Sequence, residues 1–170
     1  TPYRPTYPRI ARQTIPPRPA AAVPHDSLSQ PDALDLVQAG QDRLWSPAGA
    51  KGLKYLRDRG LDDDTIRAAR LGITDGELPM KGGPRGILLP WFEADELVMI
   101  NLRQPEGRKP KYRQVYGNPA LPADLYPGRD MIRIGRPLIV VEGEFDCLLL
   151  QQELADLDVS VVTLGSASGT

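Results

Sequence analysis

Cysteine is almost missing from this 170-residue chain: Cys147 stands alone, so an internal disulfide framework and a Cys-cluster zinc site are both excluded. A single thiol fits a reducing cytoplasm, the compartment expected for this protein. No apolar run approaches the ~18–20 residues of a membrane span, and no signal peptide is expected at the start. Net charge is −1, so no global basic field announces a polyanion binder. What is present is an ordinary globular composition. At 41% hydrophobic and 25% charged, the chain can build a core, either as one domain or as a small domain plus part of a second.

Charge and proline are unevenly spread. Residues 1–24 carry Arg4, Arg9, Arg12 and Arg18 and no acid; residues 103–113 carry Arg103, Arg108, Lys109, Lys111 and Arg113 against Glu106. Basic runs mark solvated surface more often than phosphate sites, so the pattern alone assigns no role. Eight of the eighteen prolines fall in residues 1–31, which predicts an extended Pro-rich linker that can neither sustain a helix nor pair as a central strand.

Helical patterning begins at Pro31. Leu34, Val37 and Leu44 predict one apolar face over Asp32–Trp45, and Ser46-Pro47 reads as an N-cap followed by proline at the first helical position. Leu53 and Leu56 line the next helix, which Gly60 ends. Asp62 caps a third, with Leu61 and Ile66 as a hydrophobic staple, Asp63 and Asp64 at its positive end, and Gly72 as its stop. Residues 31–73 are thus expected to form a small helical subdomain. Residues 86–92 and 97–103 read as strands joined by a turn at Ala94-Asp95, and 110–116 as a third. Alternation places Asn101 and Arg103 together, and directs Lys111, Arg113 and Val115 to one face. If 97–103 and 111–116 pair, Arg103 and Lys111 lie close together as a cationic patch on the sheet.

The run Pro137-Leu138-Ile139-Val140-Val141 reads as a strand buried on both faces. Gly143 turns the chain into a helix whose Phe145, Leu148, Leu149 and Gln152 share a face, and a second buried strand follows at 159–164. This is a βαβ unit. Glu142 emerges at the strand's carboxyl end, where α/β sheets place ligands, and Asp146 falls in the helix's first turn. Two such carboxylates suit a hard cation such as Mg²⁺. The same spacing also fits an acid favouring a helix N-terminus beside a surface loop acid. Both readings stay open on spacing.

Val140-Val141-Glu142-Gly143-Glu144-Phe145-Asp146 resembles the opening motif of the Toprim fold. Upstream, Leu53-Lys54-Tyr55-Leu56-Arg57-Asp58-Arg59-Gly60-Leu61 and Leu71-Gly72-Ile73 resemble the helical lead-in of the bacterial DnaG-type DNA primase core. Gly86-Ile87-Leu88-Leu89-Pro90-Trp91 with Asn101-Leu102-Arg103 is similar to its strand pair, Lys109-Pro110-Lys111-Tyr112 to its basic motif, and Leu125-Tyr126 to its Leu-Tyr. The order and spacing cover residues 50–170. The resemblance implies an α+β and α/β chain: a Pro-rich linker at 1–31, the N-terminal part of a primase core at 32–136 with its helical subdomain and antiparallel hairpin, and a truncated Toprim βαβ unit at 137–170.

The resemblance also implies chemistry. Glu142 takes part in nucleotidyl transfer, Asp146 helps at a partial Mg²⁺ or Mn²⁺ site shared with Glu142, and Arg103, Lys111 and Arg113 contact template or nucleotide phosphates. Single-stranded DNA and ribonucleoside triphosphates are the expected partners, with a replicative helicase as a further candidate and no membrane. Three departures from the family pattern stand out. The later Asp-x-Asp is expected to be missing from these residues, and zinc is expected only in an upstream module that they do not include. No lysine stands in Pro119-Ala120-Leu121-Pro122-Ala123-Asp124 either. The chain by itself is therefore expected to be inactive in primer synthesis. Two alternatives stay open: another Toprim enzyme (topoisomerase or nuclease), and a non-catalytic nucleic-acid-binding module of a mobile-element replication protein.

Overall fold

A computed structural model describes residues 28–76, 83, 85–121 and 125–165. The Pro-rich stretch lies outside the described residues except at its end, where Ser29 caps the first helix. The order is α1 (Gln30–Leu44), a 3₁₀ turn (Pro47–Gly49), α2 (Ala50–Asp58), α3 (Asp63–Ala68), β1 (Gly72–Asp75), β2 (Arg85–Glu93), β3 (Glu96–Arg103) and β4 (Tyr112–Gly117). A second 3₁₀ turn (Arg129–Met131), β5 (Leu138–Val141), α4 (Glu144–Glu153) and β6 (Ser160–Thr163) complete it. Strands β1–β4 form an antiparallel meander, and β5 pairs parallel with β6. The architecture is mixed α+β.

Local chemistry explains most of the helix ends, and corrects three expectations. The Ser29 hydroxyl accepts from the Asp32 amide, with proline in the first turn of α1. Its buried stripe is Ala33, Val37, Gly40 and Leu44; Leu34 lies off that stripe and is exposed. The Ser46 hydroxyl caps no following helix and instead donates to the Arg43 carbonyl at 2.8 Å, closing α1. Asp62 caps α3 through the Thr65 amide, and Leu61 and Ile66 are both buried around that cap. Helix α3 stops where Arg70 turns left-handed (φ 52°), two residues before Gly72. Gly72 instead opens β1, so the last residues of the expected helical subdomain are strand.

The β2–β3 hairpin turns through Ala94 and Asp95, both at positive φ, as a two-residue loop matched to strand twist demands. Arg70 donates to the Asp95 carboxylate at 3.2 Å across this turn. Pro90 sits in β2 beyond the end of β1, where no described strand pairs with β2 on that side, a setting in which proline fits a sheet. A bulge in β4 leaves Val115 without a direct partner, and both Val115 and Tyr116 turn into the core shared with α1.

The sheet therefore has two dressed faces. One packs Leu88, Ile100, Leu102 and Val115 against Ala33 and Val37 of α1. The other packs Ile87, Leu89, Trp91 and Met99 with Leu56, Ile66, Phe145 and Leu148, joining the meander to the βαβ unit. Tyr126 extends that unit by an antiparallel bridge to Thr163, and its ring lies 5.3 Å from Trp91. The expectation that β5 is buried on both faces is not met: Leu138 and Val140 are exposed, on a face that no described element covers. Strand β6 is buried throughout.

Cys147 is fully buried on α4, and burial, followed by the charge of Glu144, pushes its thiol up to about 12. Against the ordinary value of 9.0, its thiolate fraction at pH 8 falls about a thousandfold. Alkylation in the native protein should be slower than in the denatured chain by a factor on the order of a hundredfold or more. Equal rates, measured by mass spectrometry, would place the thiol at the surface.

Candidate nucleic-acid interface

Register decides which cations meet. Arg103 pairs with Tyr112, and Leu102 pairs with Arg113. Paired residues share a face, so Arg103 and Tyr112 stand on the side of the βαβ unit while Arg113 stands with Leu102 on the side of α1. The Arg103 guanidinium lies 5.3 Å from the Tyr112 ring centroid, and the Lys111 ammonium, at the strand's start, lies 5.7 Å from it. Arg103 and Lys111 are thus brought together around one aromatic ring, and Arg113 is not brought with them.

The hairpin is tied to the carboxylate turn by a residue to which sequence reasoning gave no role. Glu144, in the first turn of α4, is fully buried, and its Oε1 accepts from Asn101 Nδ2 at 2.8 Å. A hydrogen bond to a charged acceptor contributes about 1.5–3 kcal/mol. The second oxygen, Oε2, and the buried Nε of Arg103 have no hydrogen-bond partner among the described residues. The neighbourhood is visible in the phenol of Tyr112, pushed up to about 12. Burial is the largest cause and the Glu144 charge the next; Arg103 and Arg59 act the other way. Tyr112 therefore keeps its proton throughout the physiological range. The signal available in the sequence was spacing: Glu144, Cys147, Leu148 and Gln151 lie at i, i+3, i+4 and i+7, which puts a carboxylate on the buried face of α4.

Glu142 follows β5 directly and is exposed, as is Asp146. An alanine Cβ at Gly143 would meet Asp146 Oδ2 at 3.6 Å, so the Asp146 carboxylate lies over the turn that carries Glu142. Neither acid makes an ion pair with Arg103 or Lys111 among the described residues. The carboxylate that reaches the hairpin is Glu144, and Glu142 stands two residues away on the same turn. The donor set, two exposed carboxylates, has the oxygen chemistry of a hard-cation site but is incomplete: no group of three His, Cys, Asp or Glu suited to a metal occurs among the described residues. The helical elements approach from the other side. Gln152 of α4 donates to the Gly60 carbonyl at 2.9 Å and accepts from the Asp62 amide at 2.8 Å, holding the α2–α3 turn against α4.

No family model matches the sequence, and no curated protein matches it as a relative. Solved structures do match. A DNA primase domain from Pseudomonas aeruginosa is 21% identical with a TM-score of 0.61, over 82% of this chain and 55% of that one. A DnaG primase catalytic domain bound to single-stranded DNA gives 19% and 0.61, over 80% and 55%. The RNA polymerase domain of Mycobacterium tuberculosis DnaG, in complex with a double-stranded DNA carrying a 6-nucleotide overhang, gives 19% and 0.61, over 85% and 57%. The chain has the fold of a DnaG-type primase catalytic core. It spans about half the length of the structures it matches. No described helix is long and apolar enough to cross a membrane.

Proposed function

We propose that the chain forms the template-binding part of a DNA primase and supplies the first acidic turn of its nucleotidyl-transfer site. The observation that carries this reading is the 2.8 Å bond from Asn101 to Glu144, which seats the Glu142 turn beside the Arg103–Tyr112–Lys111 group. Arg103 and Lys111 hold phosphates of single-stranded DNA or of an incoming ribonucleoside triphosphate, by charge and without reading sequence. Glu142 and Asp146 would hold part of the shell of Mg²⁺ or Mn²⁺, which when bound stabilises charge on phosphate oxygens. In the reaction a 3′-oxygen attacks the α-phosphorus of the triphosphate, a new P–O bond forms, and the bond to pyrophosphate breaks. Glu142 serves it either as the acceptor of the hydroxyl proton or as an acid of the cation site. Other acids are needed to complete the metal shell, so the 170-residue chain should make no primers unaided.

Binding tests the reading first. Lys111→Ala and Arg103→Ala should each weaken a single-stranded oligonucleotide about fivefold or more at about 50 mM salt, equally for unrelated sequences. Unchanged affinity of both variants in a fluorescence titration would remove the hairpin from the site.

A further inference from the structure

We propose that the groove between α1 and β1 is the docking site of the chain's own arginine-bearing segment, residues 1–24. It is a different place from the nucleic-acid interface: β1 and β4 are opposite edges of the meander, so the groove lies apart from the Arg103–Lys111 group. Docked there, the arginines are held on the core and withheld from other anions.

The groove has a volume of about 350 Å³. Its apolar lining comes from Leu28, Leu36 and Ile73, and its charged lining is three acids, Asp32, Asp35 and Asp75, against one base, Arg43. The balance is negative. Asp35 is exposed and has no cationic partner among the described residues. Asp32 accepts from the Ser29 hydroxyl at 2.5 Å, a neutral donor. Asp75 is paired with Arg43 through Oδ2, while its Oδ1 is buried with no hydrogen-bond partner among the described residues. A buried acceptor left without a donor is costly, and a guanidinium carries five donors in a fork that fits carboxylates. A metal ion fits less well, since no group of three His, Cys, Asp or Glu suited to one occurs among the described residues.

Charge and chain direction name the occupant. Residues 1–24 hold Arg4, Arg9, Arg12 and Arg18 without one acid, the complement of the groove. A proline-rich sequence favours about three residues per turn, and on that period Arg9, Arg12, Ile15 and Arg18 fall along one side. Cations flanking an isoleucine answer acids flanking an apolar lining. The segment also leads into the groove. Leu28, where the described chain begins, is itself a lining residue and packs with the cluster of Ala33 and Val37. Nine residues separate Arg18 from Leu28, enough chain to fold back at that point. A tether this short sets an effective concentration on the order of millimolar, which a separate basic peptide must match in solution.

Limited trypsin digestion of the 170-residue chain, read by mass spectrometry, tests the docking at the bonds after Arg9 and Arg12; Arg4 and Arg18 precede proline and resist cleavage. Cleavage at those bonds tracks the undocked population, so Asp35→Asn should speed it about threefold or more at low salt. Asp42→Asn, which removes the same charge from α1 outside the groove, should leave it unchanged. A second measurement leaves the core untouched. Replacing Arg9, Arg12 and Arg18 together by Gln should move the NMR amide signals of residues 35–43 and 73–75 and leave those of Arg103 and Glu144 in place. If those signals do not move, or if Asp35→Asn and Asp42→Asn are cleaved alike, the proposal fails. If protection and shifts fade on about tenfold dilution, the segment sits in the groove of a second copy, and docking within one chain is overturned.

Discussion

Gly86→Ala is expected to lower the unfolding free energy by about 3 kcal/mol or more and to disorder the Arg103 site with it. Gly86 has φ 151°, a backbone conformation that side chains rarely adopt. A Cβ there would lie 2.0 Å from the Arg103 carbonyl oxygen and 2.9 Å from its carbon. Those are backbone atoms of the neighbouring strand, so no rotamer change relieves the clash. Strands β2 and β3 must separate where Ile87 pairs with Arg103, and the damage lands on the residue that positions the cation. Gly107 supplies the control. It also has positive φ (83°), yet nothing lies within 4 Å of its added Cβ, so Gly107→Ala should cost only about 1–2 kcal/mol of backbone strain. Urea unfolding with oligonucleotide affinity measured in parallel checks both. A loss at Gly86 no larger than that at Gly107 would mean the two strands do not approach as closely as described.

The comparison with the sequence turns on range. Signals confined to a few residues were readable: the Asp62 cap, Gly60 ending α2, the alternation of β3, the two-residue turn, and the strand–helix–strand order after Pro137. Signals that depend on a neighbour's presence were not. Leu138 and Val140 read as buried because their run is continuous and rich in β-branched residues, yet they stand on a face of β5 that no described element covers. Strand β1 is hidden by its length: four residues that begin at Gly72 and end before Gly76 look like a helix stop, although Ile73 and Thr74 are β-branched. Leu34 misled because a stripe drawn through leucines ignores the small Ala33 and Gly40 that let α1 approach the sheet.

The candidate site divides the same way. The proximity of Arg103 and Lys111 is legible in alternation and hairpin geometry, both local. Arg113 was grouped with Lys111 by the same alternation, but strand pairing sets it beside Leu102, across the sheet from Arg103. Glu142 and Asp146 are legible as acids at a strand end and a helix start; both side chains are exposed, which fits a cation site and a surface acid equally. Glu144 was read over, since an acid between two acids in a first turn looks like one more solvated charge. Its burial against Asn101 joins residues 43 positions apart. Long-range pairing is where pattern reading from one chain ends.

We propose that the turn after β5, latched to a cationic hairpin through Asn101 and Glu144, presents Glu142 for nucleotidyl transfer. The measurement that meets it most directly is primer synthesis by the natural gene product containing this chain, on single-stranded DNA with ribonucleoside triphosphates and Mg²⁺ or Mn²⁺. Loss of a positioned base or cation ligand typically costs on the order of a hundredfold or more. The wild-type protein should make RNA complementary to the template, and Glu142→Gln should reduce that product at least a hundredfold while leaving oligonucleotide affinity within about twofold. RNA synthesis that survives the substitution, or DNA cleavage with no RNA product, would contradict the account.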